Sequence, residues 1–201
     1  MFTGVVQTVG KVRAIEPRSG DVRMHIHAAG LDMKVMKIGD SIAVNGCCLT
    51  VIEKLPEGIS VDASLETLEL TTLAAFQSGT PVNLESAMTL STPMGGHMVS
   101  GHVDGVGVVQ GRREDGRSLR FDIEAPVGLA HYIARKGSIC VDGVSLTINA
   151  VEAHSFQVNI IPHTLEHTIM RDYRTGTRVN LEVDLIARYL ERLLTAHTPI
   201  K

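Results

Sequence analysis

SIAVNGCCLTV, residues 41–51, returns as SICVDGVSLTI at residues 138–148. The offset of 97 holds outward from these stretches without a gap. MFTGVVQTVGKV from Met1 falls on MVSGHVDGVGVV from Met98, pairing Gly4 with Gly101 and Gly10 with Gly107. TLELT from Thr67 meets TLEHT from Thr164, and GTPVNLE from Gly79 meets GTRVNLE from Gly176. About 26 of 85 aligned positions are identical, against roughly 5 for unrelated sequences of ordinary composition. The unit is far longer than a solenoid repeat, so the chain reads as a duplicated domain. The boundaries are placed at 1–96 and 97–185, with a C-terminal helix and tail over 186–201.

Within a copy the pattern is β. DVRMHIHA from Asp21 alternates residue by residue, as a half-buried strand does. Asn45-Gly46, and Asp142-Gly143 in the second copy, are hairpin turns, because these residues accept positive φ. Val5, Val6, Val9 and Val12 are read as one strand bent at glycines. GISVDA and TPVNLE are further strands, and ETLELTTL has room for only a turn or two of helix. Six short strands with glycine-rich corners predict a small closed barrel, since closure removes exposed edges. The fold class is therefore mainly β: two tandem, duplicated six-stranded β-barrels with a C-terminal α-helix. In that helix Leu185, Ile186, Tyr189, Leu190, Leu193 and Leu194 share one stripe, with Asp184 as N-cap. The stripe packs on the chain's own barrels or on another subunit; the sequence leaves both open.

Composition narrows the function. The 201 residues carry 19 Lys and Arg against 22 Asp and Glu, with 3% aromatic residues and no Trp. A basic face and stacking rings are what nucleic-acid binding needs, so no nucleic-acid partner is expected. No run approaches the roughly 18 to 20 apolar residues of a membrane span, and the N-terminus lacks a signal-peptide core. Three cysteines, two of them adjacent, make no disulfide framework, and a cytoplasmic location follows. His97 and His102 in GGHMVSGH match no zinc spacing, so no metal is expected.

The copies also differ in a readable way. Val5 of the first copy is His102 in the second, and Cys48 is Ser145, while Thr50 is kept as Thr147. Imidazole is the side chain whose ordinary pKa suits proton transfer near neutrality, and only one copy presents it here. Cys48 shares its strand face with Thr50, so Cys47 and Cys48 point to opposite sides.

MFTG at the start, NGCCLTV at 45–51, GGHMVSGHVDG at 95–105, DGVSLTI at 142–148 and IPHTLEHT at 161–168 together resemble the riboflavin synthases of the trimeric α-type. The resemblance covers essentially the whole chain. It implies conversion of two 6,7-dimethyl-8-ribityllumazine molecules into riboflavin and 5-amino-6-ribitylaminouracil by transfer of a four-carbon unit, without metal or redox cofactor. It implies a homotrimer in which a reacting pair lies between barrels of different subunits, and lumazine synthase as a partner to look for. Carried over by residue, the first substrate site comprises Gly4, Val5 and Val6, then Cys48, Leu49 and Thr50, and Asp62, Ala63, Ser64, Leu65, Glu66 and Thr67. The second comprises Gly101, His102 and Val103, then Ser145, Leu146 and Thr147, and Asn159, Ile160, Ile161, Pro162, His163 and Thr164, with Lys136 nearby. His102 and Thr147 are expected to assist proton transfer, and Cys48 or a bound hydroxide to be the nucleophile. Ser41, Ser145, Phe2, Thr3 and Asp184 complete the catalytic set. The alternative is a carrier that keeps the pockets and has lost the activity; the intact SGH and SLT motifs of the second copy favour the enzyme.

Overall fold

The computed structural model describes residues 1–196. Barrel one is built from β1 (Thr8–Arg18), β2 (Asp21–His27), β3 (Ser41–Val44), β4 (Cys47–Leu55), β5 (Gly58–Ala63) and β6 (Pro81–Ser86). The strands close in the order β1-β2-β5-β4-β3-β6 with every pair antiparallel. Barrel two repeats this with β7 (Gly105–Asp115), β8 (Ser118–Glu124), β9 (Ser138–Val141), β10 (Val144–Glu152), β11 (Ser155–Ile160) and β12 (Arg178–Val183). Even the bulges recur at the offset of 97: the register slips after Val12 and Val109, and after Val51 and Ile148. Such bulges sharpen the local twist that closure of a small barrel requires.

Alternation decides which side chains fill each barrel. Met24 and Ile26 of β2 and Cys47, Leu49 and Val51 of β4 lie in the first core, which leaves Cys48 and Thr50 on the outer surface. Burial pushes the Cys47 thiol up to about 12, so it stays protonated and inert. Short helices follow the fifth strand of each copy: α1 (Leu65–Leu70), capped by Ser64, and α2 (Pro162–His167), started by its proline. α3 (Leu185–Ala196) ends the described chain, with the Asp184 carboxylate accepting the Ile186 N–H at 3.0 Å. The last part of the expected tail, residues 197–201, lies outside the described residues.

One expectation changes, and one open alternative is narrowed. Val5 and Val6 precede β1 rather than belonging to it, because the segment before Thr8 leaves its own barrel. The apolar stripe of α3 is not packed on its own barrels: Ile186, Tyr189, Leu190 and Leu193 are each more than half exposed. The helix is held through polar groups instead, with Glu191 accepting from the Tyr132 hydroxyl and lying 2.9 Å from His131 Nε2.

The barrels meet on a pseudo-twofold axis. The Asn45-Gly46 turn faces the Asp142-Gly143 turn so closely that a Cβ on Gly46 would lie 2.7 Å from the Gly143 nitrogen. Asn83 Nδ2 donates to the Asp142 carbonyl at 2.8 Å, and Asn180 Nδ2 donates to the Asn45 carbonyl at 2.9 Å. Symmetry breaks at one carboxyl: Asp142, fully buried, accepts from the Tyr173 hydroxyl at 2.5 Å, where the first copy has Asn45 and Phe76.

Burial raises the Asp142 pKa to about 7, against the pull of its Tyr173 and Asn180 hydrogen bonds. The folded chain thus keeps a proton that the unfolded chain releases near pH 4, and this contribution to stability is lost as pH rises through 7. Asp142→Asn is expected to flatten the loss between pH 4 and 7, worth ~4 kcal/mol at most from ~1.4 kcal/mol per pKa unit. Thermal melts of both proteins at pH 5 and pH 8 check this; an unchanged pH slope in the variant refutes it.

Candidate active site

The segments ahead of β1 and β7 are arms that cross between copies. Each is anchored on its own barrel by a buried glutamate. Glu85 accepts from the Thr3 N–H and hydroxyl, both at 2.7 Å, and from the Gly4 N–H at 3.0 Å. Glu182 does the same for Ser100, at 2.6 and 2.8 Å, and for Gly101 at 2.9 Å. Burial raises both glutamate pKa values, and these donors work against that shift. The far side of each arm binds the other copy: Ser145 N–H donates to the Gly4 carbonyl and Cys48 N–H to the Gly101 carbonyl, both at 2.8 Å. Phe2 and Val99 pair with each other across the axis.

Gly4 and Gly101 have φ of 72° and 83°, and a Cβ at either would come within 2.6 Å of Ser145 Cβ or 2.5 Å of Cys48 Cβ. Only glycine permits both the left-handed backbone and the close approach. Val6 accordingly packs against the core of barrel two, and Val103 against that of barrel one.

This crossing changes which of the expected segments lie together: Gly4, Val5 and Val6 line one cleft with Ser145, His163 and Thr164, and Gly101 and Val103 lie against Cys48 and the core of barrel one. The differences between copies are thereby concentrated. The arm that carries His102 lies against Cys48 of barrel one, and the arm that carries Val5 lies against Ser145 of barrel two. His102, on the arm that crosses to barrel one, and Thr147, on β10 of barrel two, are thereby separated within one chain.

On barrel one, Arg23 makes two bonds to Asp62, at 2.8 and 3.0 Å, and Ser64 Oγ caps α1 by accepting the Thr67 N–H. That pairing holds the Asp62 carboxyl below its ordinary pKa. Leu49 and Ala63 face the barrel core, so only their backbone groups are available to a ligand. Ser41 pairs with Thr50 across β3 and β4.

His102 is exposed, and its carbonyl accepts from Arg188 Nη2 at 2.9 Å. The same nitrogen donates to Asp104 at 2.8 Å, so the first turns of α3 clamp the arm that carries the imidazole.

On barrel two, Gly4, Val5, Val6, Ser145, His163 and Thr164 line a cleft of about 160 Å³. Asn159 occupies the place of Asp62, but its Oδ1 is buried without a partner, while Arg120 turns to Asp115 at 3.0 Å. An unpaired acceptor of this kind fits the hydroxyls of a polyol chain. Leu146 and Ile160 are part of or packed against the barrel-two core, and Ile161 caps α2 ahead of Pro162.

Ser145 Oγ lies 2.6 Å from His97 Nδ1, and the buried Nε2 of His97 has no partner. Burial lowers the His97 pKa, which keeps the ring neutral at neutrality, with the Asp184 charge opposing the shift.

The remaining candidates act at one remove or stand apart. Phe2 and Thr3 are buried in the crossing arm, Phe2 against Cys48 and Thr3 on Glu85. Asp184 caps α3. Lys136 stands on the turn before β9 with φ of 68° and does not line the cleft at Ser145. Sequence reasoning missed Glu85, Glu182 and Arg188. The glutamates had a signal: both copies carry Glu at the end of a VNLE strand whose four residues are all buried.

The family model of the lumazine binding domain matches residues 3–87 and again residues 100–184. The riboflavin synthase of Photobacterium phosphoreum is 45% identical over 199 residues, covering 99% of this chain and 91% of that one. The riboflavin synthase of Brucella abortus is 44% identical over 199 residues, with 96% and 98% covered. Among solved structures, LumP complexed with riboflavin superposes with a TM-score of 0.85 at 26% identity, covering 91% of this chain and 99% of that one.

Proposed function

The chain belongs to the lumazine-binding family, within its riboflavin synthase relatives, and from this premise we propose that it is a riboflavin synthase. Two molecules of 6,7-dimethyl-8-ribityllumazine react, one giving up four carbons and the other receiving them, to yield riboflavin and 5-amino-6-ribitylaminouracil. One observation carries the reading. Two identical substrates must play unlike roles, and the crossed arms make two equivalent junctions of unlike chemistry: Cys48 beside the arm of His102 on one, Ser145 beside the arm of Val5 on the other.

In this reading the Cys48 thiol, or a hydroxide held beside it, adds at C7 of the ring on barrel one. His102 moves the proton released from an acidic C7 methyl. Backbone N–H and C=O groups of the arms read the pyrimidine edges, and Thr50, Ser64, Thr67 and Asn159 serve the ribityl hydroxyls. Fixing both rings face to face is worth roughly 7–11 kcal/mol of barrier. Within one chain the two pockets lie on opposite sides of the pseudo-twofold axis, so a reacting pair forms between barrels of different subunits.

The assembly we propose is a homotrimer built through α3, whose exposed apolar stripe supports it. A chain ending at Val183 is then expected to sediment as a smaller species than the full chain; a truncated chain that stays trimeric refutes the role of the helix. A cytoplasmic location fits three free cysteines, and a complex with lumazine synthase would place the enzyme beside the source of its substrate.

The second reading, a carrier that binds without turnover, draws on the likeness to LumP complexed with riboflavin. The higher identity to the synthases favours the enzyme. Incubating EDTA-treated protein with 6,7-dimethyl-8-ribityllumazine and following riboflavin separates the two. Multiple turnovers establish the synthase, and tight binding without product establishes the carrier.

A further inference from the structure

We infer that the cleft on the pseudo-twofold axis is a second kind of ligand site, separate from both lumazine pockets, for a heteroaromatic mononucleotide. The cleft holds about 260 Å³, and its twelve lining residues form six pairs at the offset of 97, among them Phe76 with Tyr173 and Thr72 with Ile169. None of them lines the cleft at Ser145 or belongs to the segments assigned to substrate. The volume suits one flat ring and its sugar rather than a three-ring flavin, since pockets for drug-sized ligands run to roughly 300–1,000 Å³. Two aromatic rings and Pro81 supply apolar walls.

A polar group lies buried in its wall. The Thr72 hydroxyl is on a residue 8% exposed and lacks any hydrogen-bond partner, although its backbone N–H is held by Asn180 at 2.7 Å. A buried hydroxyl without a partner carries a cost that a ring nitrogen or carbonyl removes.

The mouth supplies the charge. Pro81 and Asp172 also line a neighbouring cleft of about 540 Å³, where Lys11, Arg13 and Arg171 converge. Arg171 lies 3.6 Å from Asp172, but Lys11 and Arg13 have no carboxylate partner among the described residues. Duplication by itself would place the same charge on both sides of the axis. It does not: Val108, Gln110 and Ala74 stand where Lys11, Arg13 and Arg171 have their counterparts. In a chain of net charge −3, Lys11 and Arg13, without a carboxylate partner beside an aromatic cleft that Arg178 also lines, form an arrangement that takes a phosphate attached to a ring.

The test uses full-length protein and three probes, uridine 5′-monophosphate, uridine and inorganic phosphate, titrated calorimetrically with and without saturating riboflavin. The monophosphate is expected to bind at least tenfold more tightly than either part, with riboflavin making no difference. Lys11→Val with Arg13→Gln, the second copy's own residues, should reduce the monophosphate to the affinity of uridine and leave uridine unchanged. Thr72→Val should weaken both nucleoside probes at least threefold while the melting temperature and riboflavin formation hold. Displacement by riboflavin, a monophosphate no tighter than phosphate alone, or indifference to the paired variant each overturns the inference.

Discussion

Replacing Cys48 by serine lowers the rate of riboflavin formation by a factor of about 10²–10⁴, the range expected for loss of a group acting in the transition state. The substitution removes one thiol and keeps the shape of the side chain. The Cys48 N–H still donates to the Gly101 carbonyl, so the arm stays in place and lumazine affinity should move by no more than threefold. His102→Gln is expected to cost a similar factor, because its N–H and carbonyl, not its ring, hold the segment to Ser100 and Arg188. A drop in kcat at constant affinity is the signature of an interaction made only in the transition state. Equal losses in both remove these residues from the chemistry. The reciprocal variant is as informative: Val5→His with Ser145→Cys equips the pocket on barrel two and, in a chain that has lost Cys48 and His102, tests whether the pockets can exchange roles.

Much of this was legible in the sequence because duplication prints it twice. Asn45-Gly46 and Asp142-Gly143 marked a hairpin in each copy, and alternation split DVRMHIHA and CCLTV into two faces, of which the structure turns Met24, Ile26, Cys47 and Leu49 inward. Asp184 announced the start of α3. What the sequence did not carry was which copy each arm serves. A repeat fixes internal likeness, yet it is silent on whether equivalent segments pair within a copy or across, since both arrangements obey the same offset of 97. The choice is made by long-range bonds, Gly4 to Ser145 and Gly101 to Cys48, and no local propensity encodes them. The strand reading of Val5 and Val6 failed for the same reason: valines that pack against the other barrel look in sequence like valines that continue their own strand.

The crossing makes a prediction that neither a simple pair of independent barrels nor a stability effect would produce. Glu182→Gln should disable the pocket on barrel one, and Glu85→Gln the pocket on barrel two, each glutamate acting on the barrel to which it does not belong. The carboxylate of Glu182 accepts from the Ser100 N–H, the Ser100 hydroxyl and the Gly101 N–H; an amide must turn an NH₂ toward one of these donors. Hydrogen bonds to a charged acceptor contribute about 1.5–3 kcal/mol each, and a buried donor left unpaired costs about 1–3 kcal/mol. The arm is therefore released locally, with the loss of its bond to Cys48 and of the seat of His102. Amide signals of labelled protein titrated with lumazine can follow both pockets at once, Cys48 reporting one and Ser145 the other. In Glu182→Gln the Cys48 signal should lose its ligand-induced shift at concentrations that still move Ser145, and in Glu85→Gln the pattern should reverse. Riboflavin formation should fall in both, since a reaction between two substrates needs both pockets filled. If each variant instead silences the pocket on its own barrel, the arms do not cross in solution, and the concentration of Cys48 and His102 in one pocket falls with them.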